Sequence, residues 1–458
     1  PVNLVALPDS AVLLESLRAI VGKSQVLTQD DLVESYVTDW TRRYAGPCVA
    51  VVRPGSTDEV SQILALCFRL GQPVLIQGGN SGLVGGSVPS GSTMAPLVIS
   101  MRRLDQLGPV DDLTGQITAG AGVLLRAVQA TAAAAGWLYG IDLAARDSAT
   151  IGGTVATNAG GINVIAYGMT RAQVVGIEAV LADGTVISHL GGLLKDNTGF
   201  DLAALLCGSE GTLAVITAVR LRLHRPHPRT SLALIGCASY ADALELMSST
   251  ARQTQLIAAE VVDTAGISLL NSAFGMSSPL AASWPVVAFL EVADGGDASG
   301  FEISSDRDAV VALDAADQTR LWAFRERQSE VYATLGVVHK LDVSIPLVLI
   351  QEVLDSISEL LRTHSDVTLF GFFGHIADGN IHIEFTGPDA DDSRVDHLVL
   401  EYVAAAGGSI SAEHGIGRMK VDSLHLARSA AEIAAMRAIK TAWDPAGILN
   451  QGVLFRHE

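Results

Sequence analysis

Cysteine is scarce. Cys48, Cys67, Cys207 and Cys237 are the only four in 458 residues, they stand far apart, and no CxxC occurs. That excludes a disulfide scaffold and a thiolate zinc ribbon, and leaves buried free thiols in a reducing compartment. Basic residues are also few, 30 against 49 acidic ones, and the net charge of −19 argues against nucleic acid or an anionic membrane surface as partner. It does not exclude a small anionic substrate, because a pocket can be locally basic. No apolar run reaches the ~18–20 residues of a membrane span. The N-terminal PVNLVALPDSAVLLESLRAI has neither the basic start of a signal peptide nor the arginines of a transit peptide, so the expected location is cytoplasmic. There is no GxGxxG fingerprint, no complete GxxxxGK[ST] loop and no internal repeat.

What is present is apolar bulk: 49% of residues are hydrophobic and 17% charged, in a chain too long for one ordinary core. Three segments are expected: 1–224, 225–410 and 411–458. A helix follows Ser56, with Ser56 and Glu59 as a capping box and Val60, Ile63, Leu64 and Cys67 at helical spacing, and Gly71 ends it. Short strands and Ala-rich helices then alternate to about residue 224, giving an α+β unit. RLHRPHPRT (222–230), with its two prolines, marks a boundary. Beyond it, SLALIGC, LIAAEVV, WPVVAFLEV and HKLDVSI read as strands, and ADALELMSSTARQ and VLIQEVLDSISELLRTH as helices. An antiparallel sheet with helices against one face accommodates that order.

Three glycine-rich arcs fall in the first unit. In IQGGNSGLVGGSVP, Gly78, Gly79, Gly82, Gly85 and Gly86 strip side chains from a short stretch, while Asn80, Ser81 and Ser87 add polar groups. DSATIGGTVATNAGGINVIAYG (147–168) and LKDNTGFDLAALLCGSEGTLAVIT (194–217) follow. Each alone could be a tight turn. Together they imply a long ligand held by backbone N–H groups, such as a dinucleotide.

FGHIADGNIHIEF (373–385) places two of only 11 histidines about an Asp-Gly pair. With Asp378-Gly379 as a two-residue hairpin turn, His375 faces His382, with β-carbons about 4.5–5.5 Å apart. Glu384 shares that face. Two such rings are either polar residues at an interface or ligands to one metal ion. SAEHGIGRMK (411–420) favours ligands, because Glu413 and His414 sit among glycines able to approach a ligand. Two histidines and a carboxylate leave coordination positions open, the pattern of a catalytic zinc or similar divalent site.

IQGGNSGLVGGSVP, TIGGTVATNAGG, LADGTV and GSEGTLAVIT resemble, in order and spacing, the FAD-binding domain of the vanillyl-alcohol-oxidase flavoproteins. GHIADGNIH and SAEHGIGRMK resemble the metal-dependent branch that oxidises D-2-hydroxy acids, and the GGN form of the first loop with KDNTGFDL is similar to the D-2-hydroxyglutarate dehydrogenases. The likeness spans residues 40–452. It implies an α+β fold: a two-part PCMH-type FAD-binding domain, a substrate (cap) domain with an antiparallel sheet and helices, and a helical C-terminal segment.

The resemblance also implies roles. Gly78, Gly79, Asn80, Ser81, Gly82, Gly85, Gly86 and Ser87 would cradle the FAD pyrophosphate. Asp142, Ser148, Gly152, Gly153, Thr157, Asn158, Gly211, Ile216 and Asn450 would line the rest of the cofactor. Some relatives tether FAD through a histidine where this chain has Asn80, so non-covalent FAD is expected. His375, His382 and Glu413 match the metal ligands, zinc first among divalent ions, and His414 the catalytic base. Arg325, Ser329 and Lys340 match positions that hold a distal substrate carboxylate. Glu384 departs from the family, which has asparagine there. It is either a further ligand, a carboxylate facing substrate, or an outward side chain at a strand end.

These parts imply oxidation of D-2-hydroxyglutarate, with D-malate as a second acid, to the 2-oxo acid. A hydride acceptor comes from the cofactor, and a metal acidifies the hydroxyl. The expected partners are an anionic 2-hydroxy acid and an electron acceptor such as an electron-transfer flavoprotein or a quinone, with a homodimer as the assembly to consider. The rival readings are a D-lactate or glycolate dehydrogenase, and a flavin-binding subunit without chemistry of its own.

Overall fold

The computed structural model describes residues 10–90, 94–293 and 307–456. The chain forms two compact units. The first falls within Pro1–Gly160, Gly168–Arg225 and Glu413–Glu458, the second within Gly161–Tyr167 and Pro226–Ala412. One break lies inside RPHPRT, where Pro226 and Pro228 disfavour regular structure on either side.

In the first unit, Val26–Leu27 (β1), Ala50–Val52 (β2), Val74–Gln77 (β3) and Leu97–Ser100 (β4) form a sheet ordered β1-β2-β4-β3. β2 and β3 both run parallel to β4. The helix Thr57–Leu70 joins β2 to β3, burying Val60, Ile63, Leu64 and Cys67. Its start differs slightly from a reciprocal capping box. Ser56 accepts from the Glu59 backbone N–H at 3.2 Å, but the Glu59 carboxylate takes the N–H of Gly55, at 2.6 Å, instead of that of Ser56. Gly71 closes the helix in the left-handed region.

A second, antiparallel sheet combines Gln116–Gly120 (β5), Val174–Val180 (β6), Val186–His189 (β7) and Val215–Arg222 (β8) in the order β5-β8-β6-β7. Residues of both sheets share one apolar core with the helix Thr57–Leu70. The C-terminal helix Ala430–Trp443 delivers Asp444, whose carboxylate accepts the N–H groups of Ile448 and Leu449 at 3.0 and 2.8 Å. Lys440 pairs with Asp444 and donates to the carbonyls of Thr212 (2.8 Å) and Leu449 (3.0 Å). This buried pair fixes the ILNQG segment against β3, where Val74 bridges Leu449.

The second unit is built on seven antiparallel strands: Thr230–Cys237 (β9), Leu256–Asp263 (β10), Val286–Ala293 (β11), Ala309–Ala312 (β12), Val338–Ser344 (β13), Leu369–His375 (β14) and Asn380–Thr386 (β15). Their order is β12-β9-β11-β10-β14-β15-β13. Helices cover both faces, not the single face expected from sequence. Thr264–Phe274, Ala315–Glu326 and Gln328–Ala333 share a core with Leu232, Leu234, Val262, Phe289 and Phe373. On the opposite face, His339 Nδ1 lies 2.6 Å from Asp396 in the helix Arg394–Ala405. The reason is legible in the strands, which are buried nearly without alternation.

The hairpin register also differs. His375 pairs with Asn380 and His382 with Phe373, so four residues, Ile376–Gly379, make the connection instead of two. Asp378 accounts for the extra pair: its carboxylate accepts the Asn380 N–H at 3.0 Å, closing an Asx turn. A shift of two keeps both histidines on one face as diagonal neighbours. All four cysteines are free, and burial pushes the Cys67 thiol up to about 12. Among the described residues no helix is long and apolar enough to cross a membrane.

Two outcomes are expected. Lys440→Met strands a buried carboxylate and should lower unfolding free energy by about 3 kcal/mol in denaturant titration; a change within experimental error would contradict this account of the C-terminal anchor. Asp263, capping Thr264–Phe274, is half-buried, and burial lifts its carboxyl from 3.8 to about 6 against three backbone donors that lower it. A raised carboxyl contributes stability that is complete below the unfolded value and lost as pH rises through about 6. Wild type should therefore lose stability relative to Asp263→Asn between pH ~4 and pH ~6, and parallel pH profiles of the two proteins would refute it.

Candidate active site

In the first unit, β3 delivers the chain into the first glycine arc. A Cβ on Gly78 would lie 2.4 Å from Thr150 Oγ1, and one on Gly79 only 1.9 Å from the Ser148 carbonyl oxygen. The first arc therefore rests directly on the second, at positions where only glycine fits. Asn80 holds φ 55, its amide donating to the Thr38 carbonyl at 2.9 Å and accepting from Ser87 Oγ at 2.8 Å. Gly85 packs beneath the Tyr44 ring, whereas a Cβ on Gly82 would meet nothing within 4 Å. Ser81, next to it, is half-buried. On Gly86 the nearest atom would be 3.6 Å away.

The second arc turns into the helix Ile151–Thr157, capped by Thr150 Oγ1 accepting from Gly153 N–H. Gly152 presses on Ala121, Thr157 donates to the Gly153 carbonyl at 3.0 Å, and Asn158 ends the helix at φ 49 while accepting from Arg171 N–H at 2.9 Å. In the third arc, a Cβ on Gly211 would meet Asn450 Nδ2 at 2.6 Å. Asn450 accepts from Ile76 N–H (2.8 Å) and donates to the Glu210 carbonyl (2.7 Å), stapling β3 to this arc. Ile216 is buried in β8. Asp142 is engaged by Gln129 (3.0 Å) and Arg146 (2.9 Å). The three arcs and ILNQG thus line one region with bare backbone, which suits a pyrophosphate-bearing cofactor such as FAD.

A carboxylate that the motifs did not single out organises the loop bearing Glu413 and His414. Glu210 accepts from Ile416 N–H at 2.8 Å and Gly417 N–H at 2.7 Å. Burial raises its carboxyl above the usual range, and these donors with Lys420 draw it back. Gly417 takes φ 54 with its Cα against the Val84 carbonyl. Glu413 Oε1 and His414 Nε2 stand 3.8 Å apart. The available signal was an acidic residue inside the otherwise uncharged stretch 202–219.

In the second unit, one face of the sheet carries a polar plate. His375 and His382 lie edge to face with ring centroids 5.5 Å apart. Glu260 on β10, fully buried, reaches His375 Nδ1 at 2.5 Å with one oxygen and Arg325 Nε at 2.6 Å with the other. Donation by Nδ1–H leaves the His375 lone pair on Nε2, the atom available for a metal. Arg325 also lies over the Phe373 ring at 5.0 Å, and Phe373 contacts His382. Asp342, buried on β13 opposite His382, comes within 3.8 Å of its Nδ1 and accepts from Asn380 Nδ2 at 2.8 Å. Glu384 is neither exposed nor splayed outward. Its Oε1 accepts from Ser329 Oγ at 3.1 Å and pairs with Lys340 Nζ at 3.2 Å. Arg325, Ser329, Lys340, Glu384 and both histidines are thus brought to one face. Sequence reading missed Glu260 and Asp342, because an acid inside a short apolar run carries no spacing signal.

Residues 48–189 match the family model for the FAD binding domain, and residues 226–454 match the model described as FAD linked oxidases, C-terminal domain. The mitochondrial D-2-hydroxyglutarate dehydrogenase of Bos taurus is 36% identical over 463 residues, covering 97% of this chain and 84% of that protein. A putative mitochondrial D-lactate dehydrogenase of Schizosaccharomyces pombe is 32% identical, covering 95% and 88%. Among solved structures, substrate-bound p-cresol methylhydroxylase superposes with a TM-score of 0.75 at 15% identity, covering 99% of this chain and 98% of that one, which shows the PCMH-type fold. With both domain models matched and this similarity along nearly the whole chain, the protein belongs to the FAD-linked oxidase family of flavin-dependent oxidoreductases, beside the D-2-hydroxyglutarate dehydrogenases.

Proposed function

We propose that this chain oxidises a D-2-hydroxy acid, D-2-hydroxyglutarate first and D-malate second, to the 2-oxo acid, with non-covalent FAD and a divalent metal, zinc. The observation that carries the reading is Glu260, a buried carboxylate spent on His375 and Arg325 together. A carboxylate that orients one imidazole is what a metal-ligating histidine requires of its surroundings. The substrate in the names of curated relatives supports the acid chosen.

In this reading His375, His382 and Glu413 hold the metal, and Asp342 steadies His382. FAD when bound supplies the hydride acceptor, and the metal when bound supplies the Lewis acid that makes the hydroxyl acidic. His414 Nε2 accepts the hydroxyl proton. Arg325, Ser329 and Lys340 orient the distal end of the acid by charge-assisted hydrogen bonds. Asn80, with both ends of its amide engaged, gives FAD no nucleophile to bond with. A second reading, D-lactate or another monocarboxylate, is favoured by one observation: Lys340 already has Glu384 as counter-charge.

Under anaerobic conditions, D-2-hydroxyglutarate should bleach the flavin and its L enantiomer should not; chelation should abolish bleaching and zinc restore it. Bleaching that persists after complete metal removal would eliminate the role given to the histidines. Glu260→Gln should weaken zinc binding by about 10- to 100-fold in competition with a chelating dye, and unchanged affinity would show that Glu260 does not support the metal.

A further inference from the structure

We infer that Arg418 supplies the positive counter-charge for the pyrophosphate of FAD. The inference concerns the cofactor of the family and holds whichever acid is oxidised.

Several half-buried cations of the first unit meet an acid. Arg146 reaches Asp142 at 2.9 Å, Arg220 reaches Asp111 at 3.1 Å, and Lys440 pairs with Asp444. Arg418, also half-buried, does not. Its Nε is buried without a hydrogen-bond partner, and no acid among the described residues pairs with its guanidinium. Glu210, which holds the same loop, takes the N–H groups of Ile416 and Gly417 and draws on Lys420 instead. Burial pulls the Arg418 guanidinium below its ordinary range, and the influence of Tyr44 only partly offsets this. A desolvated charge with no partner is costly unless an anion from outside the chain completes it.

The backbone places this cation at the first glycine arc. Arg418 N–H donates to the Val84 carbonyl at 2.8 Å, and Met419 N–H reaches the same oxygen at 3.2 Å. Leu454 N–H donates to the Gly417 carbonyl at 2.9 Å, which ties the loop to the end of the chain as well. Arg418 Nη1 packs on Gly452, 2.6 Å from where a Cβ would stand, and the Tyr44 ring covers Gly85. The guanidinium therefore lies where the segment after ILNQ meets the arc.

A pyrophosphate brings two negative charges to a protein of net charge −19. The bare N–H groups of the arc offer it only partial charges. A guanidinium offers a full one, in a planar fork that matches phosphate oxygens. Arg418 stands at the arc with that fork uncommitted.

The test uses the FAD-loaded full chain. On dilution, released FAD regains its fluorescence and reports the dissociation constant. Arg418→Met, which keeps an apolar stem, should raise that constant about 10- to 100-fold, the loss of one charged hydrogen bond. The midpoint potential of the bound flavin should move by less than about 30 mV, the tenfold equivalent for a two-electron couple. A rise of less than about tenfold overturns the inference. So does a larger shift in potential, which would put the charge at the isoalloxazine ring. Should Arg418→Met not fold, Arg418→Gln is read by the same two limits. Failure of the dehydrogenase reading would show separately, as a flavin that no D-2-hydroxy acid bleaches, and leaves this comparison intact.

Discussion

The chemistry proposed for the second unit depends on one buried carboxylate. Glu260 is fully enclosed, and an isolated carboxylate there would be prohibitively desolvated. It is tolerable because each oxygen has a donor, His375 Nδ1 on one side and the Arg325 guanidinium on the other. The same two bonds fix the tautomer of the histidine and the position of the arginine. The burial that makes Glu260 costly is what makes the geometry specific, since removing either partner leaves charge stranded in the sheet.

The first unit uses a related device. Glu210 is a half-buried acid, satisfied by backbone N–H groups of Ile416 and Gly417, and it holds the loop carrying Glu413 and His414. Asn450 ties the backbone of the same residue to β3. Glycine occurs where these segments touch because a single Cβ would displace them: Gly79 against the Ser148 carbonyl and Gly417 against the Val84 carbonyl are the clearest cases. Bare backbone along these arcs is thus required by their packing on each other, and it also suits a bound FAD.

Much of this was readable from local sequence. The helix Thr57–Leu70 starts and stops where its cap and Gly71 say, and the strands of the second unit fall on the apolar runs. The glycine arcs were recognisable because several glycines close together have few structural explanations. Register was not readable to the residue. Asp-Gly suggested a two-residue turn, but the Asp378 side chain closes a longer one, and the opposition of His375 and His382 became a diagonal. Least visible were carboxylates recruited from far along the chain. Glu260 lies 115 residues before His375, in a strand whose pattern would equally suit an acid facing water. Burial on both faces of the sheet, which erases alternation, removed the one cue that could have marked it as inward.

The claim on which the account turns is that the histidine pair holds a divalent metal with oxygen completing its shell. X-ray absorption at the zinc edge of the purified protein addresses that shell directly. The account predicts two imidazole nitrogens with carboxylate and water oxygens and no sulfur. A shell without imidazole, or one containing thiolate, would contradict it.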